Sequence, residues 1–445
     1  MQPPNLARGD RHEILNYFNH AWQIEDDLLK SLINSETFYL NPDPLRNLLI
    51  FYLGHSAVFY INKLIRVDLL KERINPDFEM LFAIGVDPEK PDDIASIFTS
   101  LRQAEVAAVW QYRQQVYDRI CQLIENMAIA LPITPEHPVW ALMMAIEHQY
   151  IHIETSSMLI RQLPVDKLQR PEHWQYAPAN GYTKTNEMIE VTGAVVQLGK
   201  PQNSTTYGWD IEYGDRTVNV EAFRASKYLI TNAEFLNFVK ADGYKNQDYW
   251  SDQAWQWKTQ NNINHPKFWL PNGDSSHDSH DYQYRAMFDE IEMPFDFPAE
   301  VNHHEAIAYC RWQGNNTRLM SEAEWHLATY GGSSSPSPVE DYNLNLKFAS
   351  PSPVGYGDRA HSNSGLSDLR GNVWEWLSDN LTPLTGYQPH YLYENYSALY
   401  FDDKHKMMAG GSWITNGTEA GKYYRNWFRP NFYQHAGFRI ALSVI

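Results

Sequence analysis

A chain of 445 residues is too long for one ordinary hydrophobic core and suits two domains. Its 36 basic and 54 acidic residues leave a formal charge of −18, which repels nucleic-acid phosphates and anionic lipid and argues against both as partners. Cys121 and Cys310 are too few for a disulfide scaffold, MQPPNLARGDRHEILNYF has no secretory pattern, and no run approaches 18 apolar residues, so a soluble cytoplasmic protein is expected.

Residues 11–163 carry helical periodicity. Arg11–Asn34 places Ile14, Leu15, Phe18, Trp22, Ile24, Leu28 and Leu29 at helical spacing. Pro44–Leu70 predicts a second, more hydrophobic helix with Pro44 in its first turn, Thr99–Ile129 a third, and Pro138–Leu163 a fourth, again opened by proline. Residues 73–93 between the second and third read as irregular. Four long helices predict a bundle, where metal sites form from inward side chains. The texture changes near Pro164. Residues 166–180 read as a linker between a bundle at 1–165 and an α+β domain at 181–445. That second domain shows short strands such as MIEVTGAVVQLG and three helices, Thr231–Asp242, His304–Gln313 and Ser321–Tyr330. The 15 Trp and 28 Tyr suit a loop-rich interior packed by flat rings.

In AIEHQYIHIETSSML, His148 and His152 stand four apart, one turn apart on one helix face and within reach of one ion. The same spacing occurs in helices that bind nothing. His55 lies among large apolar residues in LLIFYLGHSAVFYINKLI, and a buried ring needs a partner, either a ligand or a neighbouring hydrogen bond. Three neutral imidazoles suit zinc, iron or copper. Glu147 and Glu154 read either as acceptors for imidazole N–H groups or as solvated surface charges.

In the second half, TRLMSEAEWHLA carries a capping box at Ser321 and Glu324. LRGNVWEWLSD buries Trp374 and Trp376 beside a turn needing Gly371, and GGSW is followed by GFRIAL. Singly these mark a fold. Together they resemble the formylglycine-generating-enzyme fold, a C-type-lectin variant, while the bundle with His55 and EHxxxH resembles a DinB-type domain. Their fusion is similar to the iron(II)- and oxygen-dependent sulfoxide synthases of thiohistidine biosynthesis. The resemblance implies a DinB-like four-helix bundle followed by a lectin-like α+β domain. It further implies Fe(II) on His55, His148 and His152, O2 as co-substrate, and C–S bond formation between cysteine and the imidazole of histidine or hercynine. GGSWITNGTEAGKYYRNWFRPNFYQHAGFR lacks the cysteine pair with which formylglycine-generating enzymes hold copper.

Two branches compete. LRNLLIFYLGHSAVFYINKL, YGWDIEYG and FRPNFYQHAGFR resemble the ovothiol branch, which uses histidine and usually adds a methyltransferase domain. Arg425–Asn426–Trp427 resembles the run with which ergothioneine-branch enzymes bind hercynine, a carboxamide on the carboxylate and an aromatic face on the quaternary ammonium. Phe428 and Phe432 stand where one such group has Asp and Arg for γ-glutamylcysteine, which favours free cysteine here. Ile151 replaces that group's substrate-contacting Gln. Arg429 is the candidate for a substrate carboxylate. The expected catalytic tyrosine is one of Tyr387, Tyr391, Tyr393, Tyr396 and Tyr400. Tyr393 is favoured because HYLYENYS resembles the ovothiol pattern HPLYDDFS. The expectation is hercynine as acceptor with histidine as the alternative. A zinc-dependent thiol transferase or hydrolase, and a lectin-like binding protein without turnover, stand as rivals.

Overall fold

A computed structural model describes residues 1–83, 92–179, 181, 183–272, 282–331, 339–356, 362 and 364–444. The chain divides into two compact units. The first comprises Met1–His173 with Asn203–Trp209 and His390–Tyr393, and the second comprises Trp174–Gln202, Asp210–Pro389 and Glu394–Ile445.

The first unit is helical. Its α1 (Arg11–Lys30) begins where the Asp10 carboxylate accepts from the His12 and Glu13 amides, and it buries Ile14, Tyr17, Phe18, Ala21 and Trp22. Helix α2 (Leu49–Arg66) starts later than Pro44, because Asp43 closes a turn first: its carbonyl takes the Arg46 amide and its carboxylate the Leu45 amide. The stretch expected to be irregular contains α3 (Pro76–Leu81), and residues 84–91 of it lie outside those described. The helix expected from Thr99 is two, α4 (Asp92–Leu101) and α5 (Val106–Asn126), separated at Arg102–Glu105 with neither proline nor glycine in the break. Helix α6 (Pro138–Arg161) carries its proline in the first turn and is buried on nearly every face, as suits a central helix. Helix α2 packs on α3, α5 and α6, and α1 packs on α5 and α6. A polar network ties the four long helices together. The Glu25 carboxylate accepts from Ser56 (2.6 Å), Gln149 (2.7 Å) and Arg113 (3.0 Å), and Tyr60 donates to Gln149 (2.7 Å).

The second unit is built of short strands. Strands β1 (Met188–Val191), β4 (Phe223–Ser226) and β12 (Ala441–Ser443) make one sheet, and β2 (Ala194–Leu198) pairs with β3 (Arg216–Val220). Strands β5 (Trp269–Pro271), β6 (Tyr282–Arg285) and β7 (Glu290–Glu292) form a third sheet. The fourth runs β10 (Asn426–Phe428), β9 (Lys406–Ala409), β8 (Trp374–Asn380), β11 (Ala436–Gly437), with only the β8–β11 pair parallel. Capping boxes open α7 (Asn232–Lys240), α9 (His303–Gln313) and α10 (Glu322–Tyr330). Helix α8 (Asp252–Gln260) buries only Ala254 and Lys258, so it lacks the apolar period that would announce it. Trp374 and Trp376 are buried, and the Trp376 indole donates to the Val301 carbonyl (2.9 Å). Gly371 has φ +72°, and a Cβ there would meet the Asn343 carbonyl oxygen at 2.5 Å. Among the described residues, no helix is long and apolar enough to cross a membrane.

Candidate functional site

Helix α2 places Phe51, His55, Phe59 and Lys63 at successive four-residue intervals, which puts all four on one face. Helix α6 does the same for His148 and His152. Where these faces meet, one ring nitrogen from each of His55, His148 and His152 lies within 4.8 Å of the others, and this is the one such cluster among the described residues. The Nε2 atoms of His148 and His152 are 3.2 Å apart, the separation expected of two nitrogens each about 2.1 Å from a shared ion.

Neighbouring groups fix the rings. His55 Nδ1 donates to the Phe82 carbonyl at 2.6 Å, which assigns the proton to Nδ1 and leaves Nε2 as the ligand atom. That carbonyl can approach because residue 54 is glycine: a Cβ there would meet the Phe82 ring at 2.5 Å. Phe51 stacks on His55 with ring centroids 4.6 Å apart, and Phe59 lies nearly flat on His148 at 3.6 Å. Burial pushes His55 down to about 4 and drives His148 and His152 well below the ordinary imidazole value. All three are therefore neutral at pH 7 with lone pairs available, and the buried Nδ1 atoms of His148 and His152 have no hydrogen-bond partner. Three converging neutral nitrogens, two from buried rings and one from a half-buried ring, fit a transition-metal ion and leave room in its coordination sphere for further ligands. Glu147 and Glu154 are buried, so they are not solvated surface charges, and Glu147 accepts from Tyr17 Oη (2.7 Å).

Tyr393 stands beside this cluster. Its ring centroid is 6.1 Å from that of His148, 5.4 Å from Phe59 and 6.5 Å from Trp209. Tyr387 bonds to Asp210 and Ser397, Tyr391 is exposed, and Tyr396 and Tyr400 pack on Trp427 at 5.4 and 5.5 Å.

In the second unit, Asn426 and Trp427 lie on β10, paired with Met408 and Met407, and both are half-buried like Arg429 beyond the strand. Asn426 Oδ1 accepts from the Trp427 amide (2.9 Å), which leaves Nδ2 as its donor. The preceding Arg425 is a structural anchor. Its guanidinium grips Glu322 (2.5 and 3.0 Å) and donates to the carbonyls of Ile211 (3.3 Å) and Thr382 (3.0 Å). The sequence reading missed Phe51, Phe59 and Lys63 as companions of His55, although their four-residue repeat is visible in FYLGHSAVFYINK.

Residues 175–444 match the family described as the sulfatase-modifying factor enzyme 1-like domain. A hercynine oxygenase of Mycobacterium tuberculosis is 31% identical, covering 53% of this chain and 56% of that protein. One from Mycolicibacterium thermoresistibile is 29% identical, covering 73% of this chain and 74% of that protein. Ergothioneine biosynthesis protein 1 of Neurospora crassa is 24% identical, covering 99% of this chain and 59% of that protein. The chain thus spans little more than half the length of the first and third of these relatives.

Proposed function

The chain belongs to the sulfatase-modifying factor enzyme 1-like domain family, and from that premise we propose that it is a non-haem Fe(II)- and O2-dependent sulfoxide synthase joining cysteine to the imidazole of hercynine. The observation that carries this reading is the convergence of buried His55 and His148 with half-buried His152 in a chain whose relatives include hercynine oxygenases. The names of those relatives favour hercynine over histidine as acceptor. Iron held there would supply a common anchor for thiolate and imidazole and the redox capacity to use O2. The balance is simple. Forming the C–S bond with loss of one C–H and one S–H releases two electrons, and oxidising sulfur to the sulfoxide releases two more. O2 accepts all four, one oxygen ending on sulfur and the other in water.

The chain's own side chains then have distinct tasks. Tyr393, beside His148, is the proton or electron donor. Asn426 donates from Nδ2 to the hercynine carboxylate, the Trp427 face takes its trimethylammonium, and Arg429 pairs with a substrate carboxylate. The two free cysteines suit a reducing, cytoplasmic setting. The test is direct. Protein loaded anaerobically with Fe(II) is mixed with O2, cysteine and either hercynine or histidine, and products are read by mass spectrometry. The expected result is a sulfoxide adduct, formed faster with hercynine and absent with Zn(II). No adduct with either acceptor, or equal yield with zinc, ends the proposal.

A further inference from the structure

Lys63 and Arg66 close α2, where cations ordinarily complement the helix's own terminal carbonyls. Here they reach a segment more than 320 residues away. Lys63 Nζ donates to the Leu392 carbonyl, and the Arg66 guanidinium donates to the carbonyls of Tyr391 (2.6 Å) and Leu392 (3.4 Å). The same ammonium lies 4.4 Å from the Tyr393 ring centroid and 4.8 Å from that of Phe59. Further bonds hold the segment's start: His390 Nε2 donates to the Pro135 carbonyl (3.0 Å), while its Nδ1 accepts from the Leu392 amide (3.2 Å). Leu392 itself is fully buried.

We propose that Lys63 and Arg66 are positioning residues, a two-cation clamp on the Tyr391 and Leu392 carbonyls that holds the Tyr393 ring against Phe59 beside the imidazole cluster. Three features support a task beyond fold stability. Lys63 is the last member of the stripe that carries His55, so helix geometry alone ties the clamp's position to that ligand. Its ammonium meets the backbone of 392 and the ring of 393 together, so moving it moves the ring. Arg66 is exposed, yet its guanidinium reaches two carbonyls distant in sequence. A ring displaced by about 1 Å from a reacting centre costs as much as 100-fold in rate.

The inference rests on Tyr393 being the donor proposed above, and the experiment has an arm that does not. In full-length, metal-free protein carrying 3-fluorotyrosine at position 393, the fluorine resonance reads ring placement without turnover. A single narrow line is expected in the parent, a shifted or broadened one in Lys63→Met, and partial recovery in Lys63→Arg. In Fe(II)-loaded protein, Lys63→Met is expected to lower kcat about tenfold with KM within twofold, and to add less than twofold on a Tyr393→Phe background. Arg66→Met, at an exposed site, repeats the test with a smaller loss should Lys63→Met fold poorly. An unchanged fluorine line, or an equal loss with and without the Tyr393 hydroxyl, overturns the clamp. Failure of the parent enzyme to turn over would sink the sulfoxide-synthase reading and leave the fluorine arm to decide the clamp by itself.

Discussion

Helical spacing on α2 and α6 holds the three imidazoles of the first unit, and stacked rings and one carbonyl brace them. Around Asn426 and Trp427 the second unit offers a shorter scaffold, pairing with β9 and the rings of Tyr396 and Tyr400 against Trp427. Asn426 and Trp427 lie on a three-residue strand whose entry is tied down by Arg425 on Glu322. Two long helices set the geometry in one region, and in the other a short strand paired with β9 is anchored by a buried ion pair. The two should therefore fail differently. A helix-borne site tolerates loss of a distant charge, whereas a pairing of only three residues leans more on its anchor.

The largest expected effect follows from this contrast. Burial, the largest single influence, pushes the Glu322 carboxyl up, but the charge and hydrogen bonds of Arg425, with His326 and Arg216 adding to them, together hold the group below the usual range. Arg425→Met leaves that carboxylate only Arg216 at 3.7 Å, frees the carbonyls of Ile211 and Thr382, and is expected to cost about 3–5 kcal/mol in urea unfolding. Glu25 in the first unit behaves otherwise. Burial, the largest influence, raises it despite Arg113, and Ser56 and Gln149 still donate to it. In Arg113→Met it can take up a proton and keep those bonds. Arg113→Met should cost less than Arg425→Met at pH 7 and recover part of the loss at pH 5.5. Equal losses at both pH values would show that the two pairs play the same role.

Gly54→Ala probes the helical side. The added Cβ would meet the Phe82 ring at 2.5 Å, and the Phe82 carbonyl fixes the His55 tautomer. Overpacking of this kind costs about 1–3 kcal/mol. Displacing the acceptor behind a ligand should weaken metal binding about tenfold or more. Calorimetric titration with Fe(II) or Zn(II) under anaerobic conditions reads the second quantity separately from the first. Stability lost with affinity intact would mean that His55 does not depend on Phe82.

How much of this was legible in the sequence depends on the kind of element. Helix α1 is readable from its apolar spacing, and α6 from a first-turn proline ahead of a long apolar run. His148 and His152 were visible as a pair for the same reason. The break at Arg102–Glu105 was not, since no residue there disfavours a helix, and α8 was not, since it buries almost nothing apolar. The neighbourhood of Tyr393 was the least readable feature. GYQPHYLYENYSALYF offers five tyrosines with similar local surroundings. The groups around residue 393, Phe59 and Lys63, come from a helix more than 300 residues earlier. Only resemblance singled it out, because no local period encodes a tertiary contact of that range.

Acid stability sharpens the comparison on the side of the second unit. His303 opens α9, where burial is the main influence that pushes its imidazole down to about 3, and its Nε2 donates to the Leu377 carbonyl (3.1 Å). The helix N-terminus adds an unfavourable field for an imidazolium. Between about 6.5 and 3 the unfolded chain binds a proton that the folded chain refuses. Stability from this group is thus complete above 6.5 and declines as pH falls toward 3, by up to about 1.4 kcal/mol per pH unit. His303→Gln keeps a donor for the Leu377 carbonyl and removes the titration. Its urea midpoint should fall less steeply than the parent's between pH 6.5 and 5, and the two curves should run parallel above pH 7. Hydrogen exchange across α9 and β8 should show the same difference, while α2 and α6 exchange alike in both proteins. If α2 and α6 also gain protection in His303→Gln below pH 6.5, the two units unfold as one, and the contrast between a helix-held and an ion-pair-held site does not extend to their stability.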